Sequence, residues 1–142
     1  MASKGQLTGM RGVYLVAAEL AARGFIASPT SRSAAGADLL VTDQEQQRAF
    51  SVDVKTNGKP ASFWLVGART EKLKSPTHVY VFVNLRKSGQ HDFFVVPSEV
   101  VAANVKTSVS ASGKWYEFHQ IHGIPHKDGW RLFGEPQASI PE

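Results

Sequence analysis

The chain has 142 residues, 42% hydrophobic and 20% charged, with a formal net charge of +4. That is the size and composition of one globular domain, and the basic balance favours a polyanionic partner. It holds no cysteine, which excludes disulfides, thiolate metal sites and a cysteine nucleophile and fits a cytoplasmic location. No apolar run reaches the roughly 18–20 residues of a membrane span, and the opening M-A-S-K-G-Q-L lacks the apolar core of a secretory signal, so no membrane association is expected.

Residues 8–23 read as an amphipathic helix, with Met10, Val13, Tyr14, Ala17, Leu20 and Ala21 spaced as one buried stripe. Thr8 fits as its N-cap and Gly24 as its stop. Phe25 to Ala27 predicts a short strand ended by Pro29, and residues 28–36, rich in Ser, Thr, Ala, Gly and Pro, a flexible loop. A strand then opens on Asp38 and runs through Leu39, Leu40 and Val41. A polar turn covers residues 42–48, and a second strand returns over residues 50–55. Residues 57–60 are a turn by composition, residues 63–66 either a strand or a helical turn, and residues 69–75 a basic helical or looped segment ending at Pro76. V-Y-V-F-V-N at residues 79–84 is the clearest buried strand. A polar turn at 86–90, a returning strand at 92–96 and a short helix over 100–105 follow, with Pro97, Ser98 and Glu99 at its start. Residues 108–113 carry little pattern and are expected to be mobile. No repeat is visible. The order predicts an α/β or α+β domain with one mixed central sheet flanked by helices. It is a single domain over 1–142, with a core at about 7–105 and a C-terminal extension at 106–142.

The stretch with chemical content is the hairpin of residues 36–56. The period-2 rule puts Phe50, Val52 and Val54 on one face of its second strand and Ser51, Asp53 and Lys55 on the other. Asp53 and Lys55 are then roughly 6.5–7 Å apart at Cα. If the strands pair, Asp38 lies close to both. Two acids and a lysine on one patch suit a hydrated divalent cation beside a reacting phosphate. D-x-K by itself is a common surface ion pair on a strand; it is Asp38 at a strand start, in this order behind the helix, that gives the pattern weight.

The chain resembles the PD-(D/E)XK nuclease superfamily, in particular its small Holliday-junction-resolvase-like members. The carried motif is a leading helix G-x-x-G-E-x-x-A-A-x-x-L-x-x-x-G, an aspartate opening a hairpin, and (D/E)-x-K on the second strand. Here it reads Gly9-Met10-Arg11-Gly12-Val13-Tyr14-Leu15-Val16-Ala17-Ala18-Glu19-Leu20-Ala21-Ala22-Arg23-Gly24, then Asp38, then Asp53-Val54-Lys55. The match covers about the first 56 residues, and the helix glutamate of the pattern falls at Val13. The resemblance implies a restriction-endonuclease-like core and a divalent-metal-dependent endonuclease acting on DNA. Asp38, Asp53 and the Val54 backbone carbonyl would hold Mg²⁺ or Mn²⁺, and Lys55 would serve the attacking water. A homodimer that cuts two strands is implied as well. Val13 leaves open a second reading, a nuclease-fold protein that binds nucleic acid or a protein partner with its metal site decayed. A plain α/β interaction domain is the third.

Lys59, Arg69, Lys72 and Lys74, with Lys55, Arg86 and Lys87, could line a phosphate track if the loops gather them. His119, His122 and His126 match no strong metal spacing, since Gly123 and Pro125 interrupt them, and read better as a surface or DNA-facing cluster. Trp64, Trp115 and Trp130 read as packing residues. No phosphate-cradling P-loop and no G-x-S-x-G elbow is present.

Overall fold

The structure is a computed structural model and describes residues 1–31 and 36–137. Helix α1 spans Lys4–Ala22, one turn earlier than the sequence suggested. Its N-cap is Ser3 rather than Thr8: the Ser3 side chain takes the Gln6 N–H while the Gln6 side chain takes the Ser3 N–H, a reciprocal capping box. Gly24, at φ +88°, ends the helix in the left-handed conformation that only glycine adopts freely. The buried line of α1 is Gly12, Val16 and Leu20, whereas Met10 and Tyr14, placed in the predicted stripe, are exposed. The reason is Gly12. A Cβ there would lie 1.8 Å from Thr56 Oγ1, so the helix meets the sheet at a residue that a hydrophobicity pattern cannot register.

Strand β1 is Ile26–Pro29, β2 is Leu39–Thr42 and β3 is Ala49–Asn57. Pro29 thus lies inside the first strand, and the predicted loop of 28–36 falls partly on residues outside those described. Strand β4 is Phe63–Val66, which settles that segment as a strand, and a short 3-10 turn occupies Ala68–Glu71. Next come β5 at His78–Asn84, β6 at Asp92–Pro97 and helix α2 at Ser98–Asn104. Residues 108–113, expected to be mobile, instead form the tip of a hairpin between β7 at Lys106–Ser110 and β8 at Gly113–His119. The hairpin has polar residues on both faces, so alternation gave no signal. A helical turn α3 at Gln120–Gly123 and 3-10 turns at Ile124–His126 and Trp130–Phe133 complete the chain.

The main sheet has the order β1-β2-β3-β5-β6, with β3 and β5 parallel and the other pairs antiparallel. It is the mixed central sheet expected from the sequence. A second sheet, β4-β8-β7, packs against one of its faces. Strand β5 is buried along its whole length because it is covered on both sides. Val79, Val81 and Val83 join Val52 and Val54 in a cluster under α1 that also holds Phe25, Phe50, Phe93, Trp130 and Phe133. Tyr80 and Phe82 face the other way, into a cluster with Trp64, Phe94, Val96, Val101 and Phe118. Phe82 stacks on Phe118 at 4.5 Å, and the Trp64 indole N–H donates to the Val83 carbonyl at 2.9 Å. Residues after 105 therefore supply Phe118, Trp130 and Phe133 to the two cores. Among the described residues, no helix is long and apolar enough to cross a membrane.

Candidate active site

The polar face of β3 carries Ser51, Asp53 and Lys55, and parallel pairing sets them opposite His78, Tyr80 and Phe82 of β5. This is the face away from α1. Asp38 reaches it from the end of β2. Its backbone N–H donates to the Val52 carbonyl at 2.8 Å, and its carboxylate Oδ2 accepts the Val54 N–H at 2.8 Å. Because β2 pairs only as far as Leu39 with Val52, the Asp38 side chain takes over the bond that a longer strand would have made. A carboxylate is thereby fixed at the edge of β3, one residue from Asp53.

Asp38, Asp53 and Lys55 line one cavity of about 240 Å³, together with Gly36, Ala37, Gly67, Arg69, Thr70 and Tyr80. The three residues picked from sequence are thus brought together. A second cavity shares Asp38 and is walled on the helix side by Gln6, Gly9, Met10, Val13 and Tyr14. Val13, at the position of the family's glutamate, therefore does face Asp38 across a cavity and brings no carboxylate to it. Lys59 lies elsewhere, in a groove with Lys4, Arg11, Thr8 and Asn57. Lys72 and Lys74 line neither this groove nor the site, so of the expected basic track Lys55 and Arg69 stand at the carboxylates.

Asp53 has three neighbours, of which His78 and Tyr80 escaped the sequence reading and Arg69 was expected only on a phosphate track. His78 Nε2 lies 3.1 Å from Asp53 Oδ2, and His78 Nδ1 lies 2.6 Å from Ser51 Oγ. A carboxylate can only accept, so Nε2 carries the proton toward Asp53, and in the neutral ring Nδ1 takes the Ser51 hydroxyl proton. The chain Ser51–His78–Asp53 thus holds the carboxylate by a buried imidazole. Arg69 is the second neighbour. Its Nη2 donates to the Gly36 carbonyl at 2.6 Å and approaches Asp53 Oδ2 at 3.6 Å, with half of its side chain in solvent. Such an open ion pair is worth little and exchanges readily. Lys55 forms no salt bridge among the described residues, which leaves its ammonium for an incoming anion.

Tyr80 is the third. It is fully buried, yet its hydroxyl has no hydrogen-bond partner among the described residues. Burial, then the Asp53 charge, push the phenol up to about 12, against an opposing pull from Arg69. An orphan buried hydroxyl costs roughly 1–3 kcal/mol. The approach of each to Asp53 was not legible from spacing, since it is set by the β3–β5 register or by the turn after β4.

The donor set suits a hard divalent cation. Mg²⁺ is commonly held by one or two carboxylates with waters and substrate phosphate completing the shell, and Asp38 and Asp53 share a cavity with open space beside them. No group of three or more His, Cys, Asp or Glu able to hold a metal occurs among the described residues. That includes the three histidines. His119 stacks on Phe63 at 5.7 Å and sits 3.8 Å from Glu117, His122 lies against Phe118, and burial lowers His126 below the usual imidazole range.

Two solved structures share this arrangement of elements. One is a Holliday junction resolvase from the archaeal hyperthermophile Archaeoglobus fulgidus, 14% identical, with a TM-score of 0.53 over 82% of this chain and 88% of that one. The other is a bacterial homing endonuclease, 16% identical, with a TM-score of 0.60 over 93% of this chain and 91% of that one. The fold is that of the PD-(D/E)XK-like nucleases. No family model matches the sequence, and no curated protein does.

Proposed function

We propose that this chain is a divalent-metal-dependent endonuclease that hydrolyses phosphodiester bonds of DNA. The observation that carries the reading is the convergence of Asp38, Asp53 and Lys55 on one cavity of a nuclease fold. Asp38, Asp53 and the Val54 carbonyl would hold Mg²⁺ or Mn²⁺, and a bound ion would supply charge neutralisation at the phosphate and a more acidic water. The residues of the chain do the positioning. Asp38 is fixed by the Val54 N–H and Asp53 by His78, so both carboxylates are set before substrate arrives. Lys55 offsets phosphate charge and orients the attacking water. As the water oxygen bonds to phosphorus, its proton leaves to solvent, the opposite P–O bond breaks and the departing alkoxide takes a proton from solvent, with Lys55 remaining an ammonium throughout. The +4 balance and the groove of Lys4, Arg11 and Lys59 supply sequence-independent attraction for the duplex backbone. Pairing into a homodimer would set two such sites against two strands, and sedimentation with and without DNA tests that part.

Purified protein incubated with branched and linear DNA in Mg²⁺ or Mn²⁺ tests the reading. Cleavage should vanish in Asp53→Ala and Lys55→Ala, and cleavage that survives both would remove the assigned site. Val13 favours one rival, a nuclease fold that binds DNA without cutting it. Salt-sensitive DNA binding without any calorimetric signal for divalent cations would establish the rival instead.

A further inference from the structure

We propose that Tyr80 is a hydrogen-bond donor to the phosphate in this site, and that Arg69 leaves Asp53 and turns to the same phosphate. The inference deepens the nuclease reading and rests on it. Tyr80 lies opposite Asp53 in the β3–β5 register and lines the cavity that holds Asp38, Asp53, Lys55 and Arg69. Its ring is held on two sides, edge-on to His78 at 5.0 Å and stacked on Phe82 at 5.9 Å, so the hydroxyl is aimed by packing. A phenylalanine would fill the same space without leaving a buried hydroxyl unpaired. Unpaired groups of this kind concentrate where a ligand completes them. A tyrosine phenol carries its proton at neutral pH and offers the donor that a non-bridging phosphate oxygen accepts.

Arg69 lines the same cavity as the phenol. Its guanidinium lies at the cavity wall between the Gly36 carbonyl and Asp53, and its charge acts on Tyr80. A phosphate offers that guanidinium two oxygens in the geometry it binds best, against a single 3.6 Å approach to Asp53. Movement of Arg69 to the phosphate would release Asp53. The subsite so formed, Lys55, Arg69 and Tyr80, presents two cations and a hydroxyl donor, which is matched to a phosphodiester.

Tyr80→Phe and Arg69→Ala, with Arg69→Lys as the conservative variant, test the idea by melting temperature, thermal protection by inorganic phosphate, and cleavage kinetics. Tyr80→Phe should melt at or above the wild-type temperature, lose phosphate protection, and lower kcat by about ten- to a hundredfold, the worth of one hydrogen bond to a charged group. Arg69→Ala should lose protection and raise KM, with partial recovery in Arg69→Lys. A Tyr80→Phe protein that melts lower, yet is protected by phosphate and cleaves like wild type, would make the hydroxyl structural and overturn the inference while leaving the nuclease reading intact. A wild-type chain that neither cleaves DNA nor gains stability from phosphate would overturn both.

Discussion

Two glycines three residues apart on α1 should respond with opposite sign to the same substitution. At Gly9, an added Cβ meets nothing within 4 Å. Alanine there removes only the helix penalty of glycine and should stabilise the protein by about 0.5–1 kcal/mol. At Gly12 the same Cβ would lie 1.8 Å from Thr56 Oγ1 and 2.9 Å from Thr56 Cβ. A rotamer change of Thr56 could move the oxygen but not its Cβ, so α1 or β3 must shift. Overpacking of this kind costs roughly 1–3 kcal/mol or more, and the propensity gain of about 1 kcal/mol only partly offsets it. Gly12→Ala should therefore be destabilised by up to about 2 kcal/mol net, or several degrees in Tm for a chain of this size. Urea unfolding followed by tryptophan fluorescence measures both variants, with an unchanged m-value as the sign that the denatured state is the same. A Gly12→Ala protein as stable as Gly9→Ala would refute the close helix–sheet approach on which the placement of Val13 beside Asp38 depends.

Other expectations follow from the site and its surroundings. Val13→Glu adds a third carboxylate facing Asp38, so the variant should lose stability without divalent cations, regain it with Mn²⁺, and bind the ion on the order of tenfold more tightly by calorimetry; equal affinity would place the helix outside the metal site. Alanine at Lys4, Arg11 and Lys59 together should weaken DNA binding and flatten its log–log salt dependence by about one unit per lost phosphate contact, and an unchanged slope would remove that groove from the DNA path. Asp92 offers a pH test: burial raises its carboxyl, but the Arg86 hydrogen bond and charge, with Lys127, outweigh that and leave it below the usual carboxylate range. Its stabilisation is then complete above the unfolded value of about 3.9 and is lost as pH falls through the lower folded value. The stability gap between wild type and Arg86→Ala should accordingly be widest at neutral pH and close in acid, and a gap independent of pH would contradict it.

The hairpin with Asp38, Asp53 and Lys55 was legible because each of its signals is local: a strand start, a turn, and alternation along β3. Val79 to Asn84 was legible because a strand covered on both faces is apolar throughout. What the sequence hid depends on contacts between distant segments. His78 and Tyr80 reach Asp53 only through the parallel pairing of β3 with β5, and strand patterns carry no register. Arg69 reaches it through the turn after β4. The buried line of α1 was misplaced because its closest approach is made by Gly12, which has no side chain to count. The β7–β8 hairpin was missed because it buries few residues and holds together by backbone bonds.

The last described residue returns to the first helix. Gln137 donates its backbone N–H to the Arg23 carbonyl and accepts the Gln44 N–H on its side chain, both at 2.9 Å, just past the point where Trp130 and Phe133 close the cluster under α1. On a ribosome, which releases the amino end first, the hairpin with Asp38, Asp53 and Lys55 emerges long before these closing residues do. Until then Phe25, Phe50 and Phe93 lack their aromatic partners, and β4 lacks the strand that pairs with it. A nascent chain with every site residue already made would still lack much of the packing that holds them in register. The geometry of the candidate site is then set only once residues 113–133, which complete both clusters, have been made.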